Sequence, residues 1–186
     1  MRTPRLSLLV AAGACAAGQL FAAAKEVEVI NFVAMYRNPD DSYERGYEYS
    51  FGDWQDNKIV AQVAGKGLVV NGAGSKGGVG ENRALDFRKH TKARVAFLIG
   101  NRNRAKSFQF SLVDKDGTDQ TFDVPLENRP PGVEQRHTVD LTKPSREDQP
   151  GSTPGLNLKK LKSWQIKGSY GNELSELLFL RVDAVE

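Results

Sequence analysis

The chain predicts an all-β fold, a sandwich of two antiparallel sheets, on three observations. Val95, Phe97 and Ile99 alternate along one segment, and Phe108, Phe110 and Leu112 alternate against Ser107, Gln109 and Ser111 along the next. Asp116-Gly117 then separates that segment from QTFDVPL, where Phe122 alternates with Val124. A period of two places one side of a strand in a core and the other toward water. The Asp-Gly pair tolerates positive φ and predicts a two-residue hairpin turn. No segment predicts a helix longer than a turn, with 173–178 the one place where such a turn fits.

The remaining elements follow in chain order. Residues 25–33 read as a first strand, with Val27 and Val29 alternating against Glu26, Glu28 and Ile30. Residues 34–57 hold four tyrosines and a tryptophan among acids and turn formers, and predict a long excursion with at most a short strand near 47–51. Long ordered loops in compact domains are uncommon and often functional. Segments 59–64 and 68–71 form a hairpin around Gly65-Lys66-Gly67, and a glycine-dense loop follows before 84–87 resumes extended structure. Residues 134–141 point His137, Val139 and Leu141 inward, whereas the Pro, Gly and Ser stretch 143–155 has no periodicity. Leu161, Trp164 and Ile166 share a core face, and the apolar run 177–185 suits a strand covered on both faces.

The first residues read as an export signal. Arg2 and Arg5 precede an apolar stretch, and Ala22-Ala23-Ala24 stands before Lys25-Glu26, which places a cleavage point after residue 24. The stretch is too short and too interrupted to span a membrane. Cys15 follows small residues and is also a possible lipid-attachment point, although Ala12 stands where such a signal wants a larger apolar residue. Residues 25–186 then form a single domain with a sizeable core and no cysteine, in an exported, periplasmic or extracellular protein. The net charge of +3 loses two basic residues with the leader. Nucleic acid is excluded as a partner, because phosphate binding needs a concentrated positive face.

Several motifs together carry a resemblance. Asp86-Phe87 before a strand, Asp114-x-Asp116-Gly117-Thr118, HTVDL at 137–141, Gly155-Leu156-Asn157-Leu158 leading to Gly168, and Asp183 two residues before Val185 resemble the galactose-binding-like jelly rolls. The chain is similar in particular to exported bacterial carbohydrate-binding modules, over about residues 26–186. The resemblance implies eight to ten strands in two sheets and a sugar site on the concave face or in the edge loops. It also implies a structural calcium, for which an acid on the first strand, Glu26 or Glu28, would approach Asp183 on the last. One fold hosts many functions, so the ligand must come from the site.

A sugar site needs flat aromatic faces and planar amide, guanidinium or carboxylate groups. Trp54 with Tyr43, Tyr47 and Tyr49 would supply the platform, unless the loop folds back and buries them. Asn101, Arg102, Gln109 and Arg136 would supply polar contacts, and Gln109 is expected to face outward because it alternates with core phenylalanines. Gly72-x-Gly74-x-x-Gly77 matches a dinucleotide fingerprint only formally, since Gly78 and Gly80 follow where a helix would have to open. Asp114-x-Asp116-Gly117-x-Asp119 reads as a hairpin rather than a calcium loop, which would need a glutamate at its twelfth position.

An enzyme finds little support. His90 and His137 are the only histidines, and neither a G-x-S-x-G elbow nor an H-E-x-x-H pair occurs. Glu44, Glu48, Asp53 and Asp56 leave open a small jelly-roll glycoside hydrolase, which would need two carboxyls facing across a cleft. The resemblance therefore implies a non-catalytic domain that binds a carbohydrate or cell-surface glycan. The alternative is a structural or protein-interaction sandwich, acting with a separately encoded envelope protein.

Overall fold

The computed structural model describes residues 26–34, 49–51, 58–63, 65–73, 77–168 and 173–186. Twelve strands are found among them: β1 (Val27–Asn31), β2 (Tyr49–Phe51), β3 (Lys58–Val63), β4 (Gly67–Ala73), β5 (Gly78–Glu81), β6 (Lys92–Ile99), β7 (Ser107–Asp114), β8 (Asp119–Pro125), β9 (Gln135–Asp140), β10 (Arg146–Gln149), β11 (Leu161–Lys167) and β12 (Leu174–Val185). The described residues contain no helix, so none long and apolar enough to cross a membrane. All strand pairs are antiparallel, and two six-stranded sheets result.

The first sheet runs β3-β4-β12-β6-β9, and the second β10-β8-β7-β11-β5-β2. At twelve residues β12 is long enough to serve two partners along one edge. Leu174 to Phe179 pair with β4, and Arg181 to Ala184 pair with β1. Residues 174–178 of the expected one-turn helix are therefore strand, because pairing with β4 throughout and with β6 from Leu177 on overrides local preference.

An aromatic chain joins the sheets. Phe179 of the first sheet meets Phe108 of the second edge-on at 4.9 Å, Phe97 meets Phe108 at 5.1 Å, and Phe32 meets Trp164 at 5.4 Å. Such perpendicular contacts contribute about 0.5–1.5 kcal/mol each beyond the area they bury. Trp164 is fully buried, as its phase with Ile166 predicts, and its indole N–H donates to Glu81 Oε2 at 3.0 Å. That bond satisfies the one polar atom of the ring.

Several local expectations change. In β1 it is Ile30 rather than Val29 that is buried, because a bulge between Glu28 and Ile30 shifts the phase of the alternation, and Val27 at the start of the strand is 41% exposed. The Asp116-Gly117 turn uses three residues, with Asp114 N–H bonded to Thr118 O and Gly117 at φ +96°. Part of the glycine-dense segment is the strand β5. Residues 84–87 are not a strand but insert Leu85 and Phe87 into the core. The aperiodic loop 143–155 contains the short edge strand β10.

Candidate functional site

The outer face of the second sheet gathers the polar groups. In β7 and β11, Phe110 and Leu112 lie opposite Ile166 and Trp164 on the core side, so Gln109 and Ser111 lie opposite Lys167 and Gln165 on the other. Two cross-strand rows follow from the register. One runs Tyr49, Gly80, Gln165, Ser111, Thr121 and Arg146, and the other Phe51, Gly78, Lys167, Gln109 and Asp123. Gly78 and Gly80 put no side chain between the β2 positions and the polar groups of β11.

Charges on this face are tied together. Lys167 Nζ lies 2.9 Å from Asp148 Oδ2 and 3.7 Å from Asp119 Oδ2, with a side chain only 14% exposed. Thr121 Oγ1 donates to Asp148 at 2.6 Å, Ser111 Oγ donates to Asp119, and Arg146 bonds the other oxygen of Asp148. Burial pushes the Asp148 carboxyl up, but hydrogen bonds from Arg146, Thr121 and Lys167 together with the Lys167 charge hold it well below the usual carboxylate range. It is an anion and an acceptor, the opposite of a general acid, which needs a raised value.

Gln109 lies on this face as expected but is not open to water. It is 6% exposed, flanked in register by Asp123 and Lys167, and its Nε2 donates to Asp123 Oδ1 at 3.1 Å. Its Oε1 is buried without a partner among the described residues. The carboxylate of Asp123 fixes the amide's orientation, since only the nitrogen can donate to it.

The other expected contacts are divided between regions. Tyr49 is placed by the backbone of β2 opposite Gly80, on the same sheet as Gln109, whereas Tyr43, Tyr47 and Trp54 fall outside the described residues, as do Glu44, Glu48, Asp53 and Asp56. Asn101 and Arg102 stand in the turn between β6 and β7, where Arg102 donates through its backbone N–H and guanidinium to Glu176. Arg136 is on β9 of the first sheet, bonded to Glu134 at 2.8 Å. These three do not meet Gln109.

The acids expected to approach one another do so in backbone register, with Glu28 opposite Asp183. Their carboxylates go elsewhere: Glu26 pairs with Arg94, Glu28 accepts from Asn31, and Asp183, 3% exposed, pairs with Arg181 at 3.0 Å. Among the described residues no three His, Cys, Asp or Glu side chains converge as metal ligands. The donor set here is a belt of ion pairs and does not fit an oxygen cage for Ca²⁺.

The Asp114 and Asp116 carboxylates of the hairpin motif are structural. Asp114, fully buried, accepts from the backbone N–H groups of Asp116, Thr118 and Asn157, and Asp116 accepts from Ser152 and Thr153. Together they fasten the loop after β10 to the β7–β8 turn. His137, half-buried in phase with Val139, accepts from Arg129 at 2.9 Å, and burial and that charge lower its pKa.

Sequence reasoning missed Lys167, Asp119, Asp148, Ser111, Thr121 and Gln165. The signal for Lys167 and Gln165 was available, since a lysine and a glutamine alternate with Trp164 and Ile166 in β11. Asp148 offered none, because it sits on a four-residue edge strand without hydrophobic pattern.

Comparisons with known proteins bear on the architecture. No protein-family model matches the chain, nor does any curated protein sequence. Among solved structures it is similar to a family 11 carbohydrate-binding module from Clostridium thermocellum in complex with a β-1,3-1,4-mixed-linked tetrasaccharide. That match has 13% identity and a TM-score of 0.53, and covers 85% of this chain and 95% of the module. The module of the cellulosomal cellulase Lic26A-Cel5E aligns similarly, with 13% identity and a TM-score of 0.52 over 88% and 96%. An exo-β-agarase matches with 13% identity and a TM-score of 0.55 over 86% of this chain, which spans only 25% of the agarase. The architecture is thus the jelly-roll sandwich that the resemblance implies.

Proposed function

We propose that this protein is an exported, non-catalytic module that binds a carbohydrate on the outer face of its second sheet. The observation that carries the reading is the pair of register rows across β2, β5, β11, β7 and β8, in which the glycine positions of β5 lie between the backbone of β2 and the amides, hydroxyls and charges of β11, β7 and β8. Sugar hydroxyls are matched by such fixed donors and acceptors, and fixing them in advance lowers the cost of binding. Lys167, Asp119 and Asp148 hold one another and so hold the face rigid, Gln109 is buried beside them, and the amide of the part-exposed Gln165 is left for ligand. The likeness to carbohydrate-binding modules supports the same reading through the fold. Export is part of this reading, supported by the signal-like pattern of residues 1–24.

Calorimetric titration with neutral polysaccharides, including mixed-linked β-glucan and agarose oligosaccharides, tests this. A ligand among them is expected to bind the wild type and to bind Gln165→Ala about tenfold more weakly, the loss of one net hydrogen bond. Absence of binding to every glycan in the set would overturn the reading in favour of a protein-interaction sandwich.

A further inference from the structure

A second site lies away from that face, at one end of the sandwich. A cavity of about 370 Å³ opens between the turn after β6 and the loop after β8, with Asn101, Asn103, Arg104, Lys106, Glu127 and Arg129 on its polar wall and Ile99 and Leu126 on its apolar one. This volume is within the range of small-molecule pockets.

Arg129 is the unusual member. It is half-buried, its guanidinium lies 5.6 Å from the Phe97 ring centre, and its Nε and Nη2 donate to Pro125 O at 2.7 Å and to His137 Nδ1 at 2.9 Å. Both acceptors are neutral. No carboxylate among the described residues lies within ion-pair distance of it, because Glu127 turns to Lys106 at 3.9 Å. A charge taken partly out of water without a counterion is unfavourable, and guanidinium retains further N–H donors in a planar fork that matches oxyanions. Arg104 and Lys106 add two exposed cations to the same wall, so Glu127 leaves it with a net charge of +2.

The walls are also fixed before any ligand arrives. Asn103 donates to Ala105 O and accepts from Glu176 N–H, and Arg104 N–H bonds Leu174 O, which pins the first loop to β12. Gly132 N–H bonds Ile99 O, and Gln135 donates to Pro130 O and Val133 O, which pins the second. We infer that this cavity binds a small molecule or sugar residue bearing an oxyanion, a carboxylate or a sulfate group, with Arg129 as its anchor and Arg104 and Lys106 as its rim. The site does not depend on the glycan face and would exist without it.

The test is an NMR titration of the full chain with three probes: inorganic sulfate, glucuronate, and N-acetyl-aspartate amide as a peptide-like carboxylate. Saturable shifts confined to amides 99–106 and 126–135 are expected for at least one of them and none for neutral galactose, and the tightest probe identifies the source of the anion. The Arg104→Gln/Lys106→Gln double variant, whose side chains are exposed, should bind about tenfold more weakly and keep its fold, and Gln165→Ala should bind as the wild type does. Arg129→Lys keeps the charge and loses the fork, and should weaken binding by a similar factor. Shifts absent with all three probes, or unchanged affinity in both the double variant and Arg129→Lys, would overturn the assignment.

Discussion

Lys167 and Asp148 meet at 2.9 Å across β7 and β8, so a single ion pair ties the central strand β11 to the edge strand β10, with those two strands between them. Asp119 approaches the same ammonium at 3.7 Å, and all three side chains are less than a quarter exposed. Removing the cation leaves two carboxylates facing each other in a sheltered place. Lys167→Met should therefore destabilise the fold by about 1–3 kcal/mol, less than for a fully buried pair because water still reaches the acids. Urea denaturation measures this, and the Lys167→Met/Asp148→Asn double variant should recover part of the loss. A neutral Lys167→Met would show that the cation is not structural.

Asp148 also gives the stability a pH dependence. Its carboxyl is held below the ordinary value of about 4 in the folded chain, so folding favours its ionised form. The stability it contributes is complete above that ordinary value and is lost as pH falls toward the lower folded one. The melting temperature should drop on acidification from pH 5 to pH 2.5, and the drop should be smaller in Asp148→Asn. Equal slopes for the two proteins would remove this carboxylate from the account.

The hairpin motif is a fastening, and its loss should show in stability rather than in binding. Asp114 Oδ1 accepts from Asp116 N–H at 2.8 Å and Thr118 N–H at 3.0 Å, and Oδ2 accepts from Asn157 N–H at 2.8 Å. Asp114→Ala leaves three N–H donors without this acceptor inside a buried corner and should cost about 2–4 kcal/mol. Thermal melting is expected to fall by roughly 4–16 °C, while anion and glycan titrations at low temperature stay unchanged.

These relationships mark where the sequence was legible. Alternation in β6, β7 and β8 fixes their faces because each strand has many neighbours and one face in the core, so period two survives. β1 misled because a bulge shifts its phase, and bulges leave no pattern in five residues. For the site, Gln109 was legible in place but not in exposure, since alternation tells which face a residue occupies and not what stands beside it. Asp148 reaches Lys167 only through the pairing of β10 with β8, which is a contact between segments 27 residues apart. Single-sequence periodicity carries no information about such pairing.

The hairpin of β3 and β4 supplies a contrast between two glycines. Gly67 has φ +132°, and a Cβ there would come within 2.2 Å of Phe179 O, backbone of the central strand β12. Gly65 has φ +68°, and a Cβ there would meet nothing within 4 Å. The first glycine is required by both dihedral and close approach, the second by dihedral alone. Gly67→Ala must push β4 away from β12 at Phe179, whose ring contacts Phe108, Phe97 and Phe32, so the disturbance enters the centre of the core. Overpacking and strain together should cost about 2–4 kcal/mol. Gly65→Asn should cost well under about 1 kcal/mol, because asparagine tolerates the left-handed region. Parallel urea melts of the two variants measure the difference, and equal losses would mean that the approach of Gly67 to Phe179 does not set the spacing of β4 and β12.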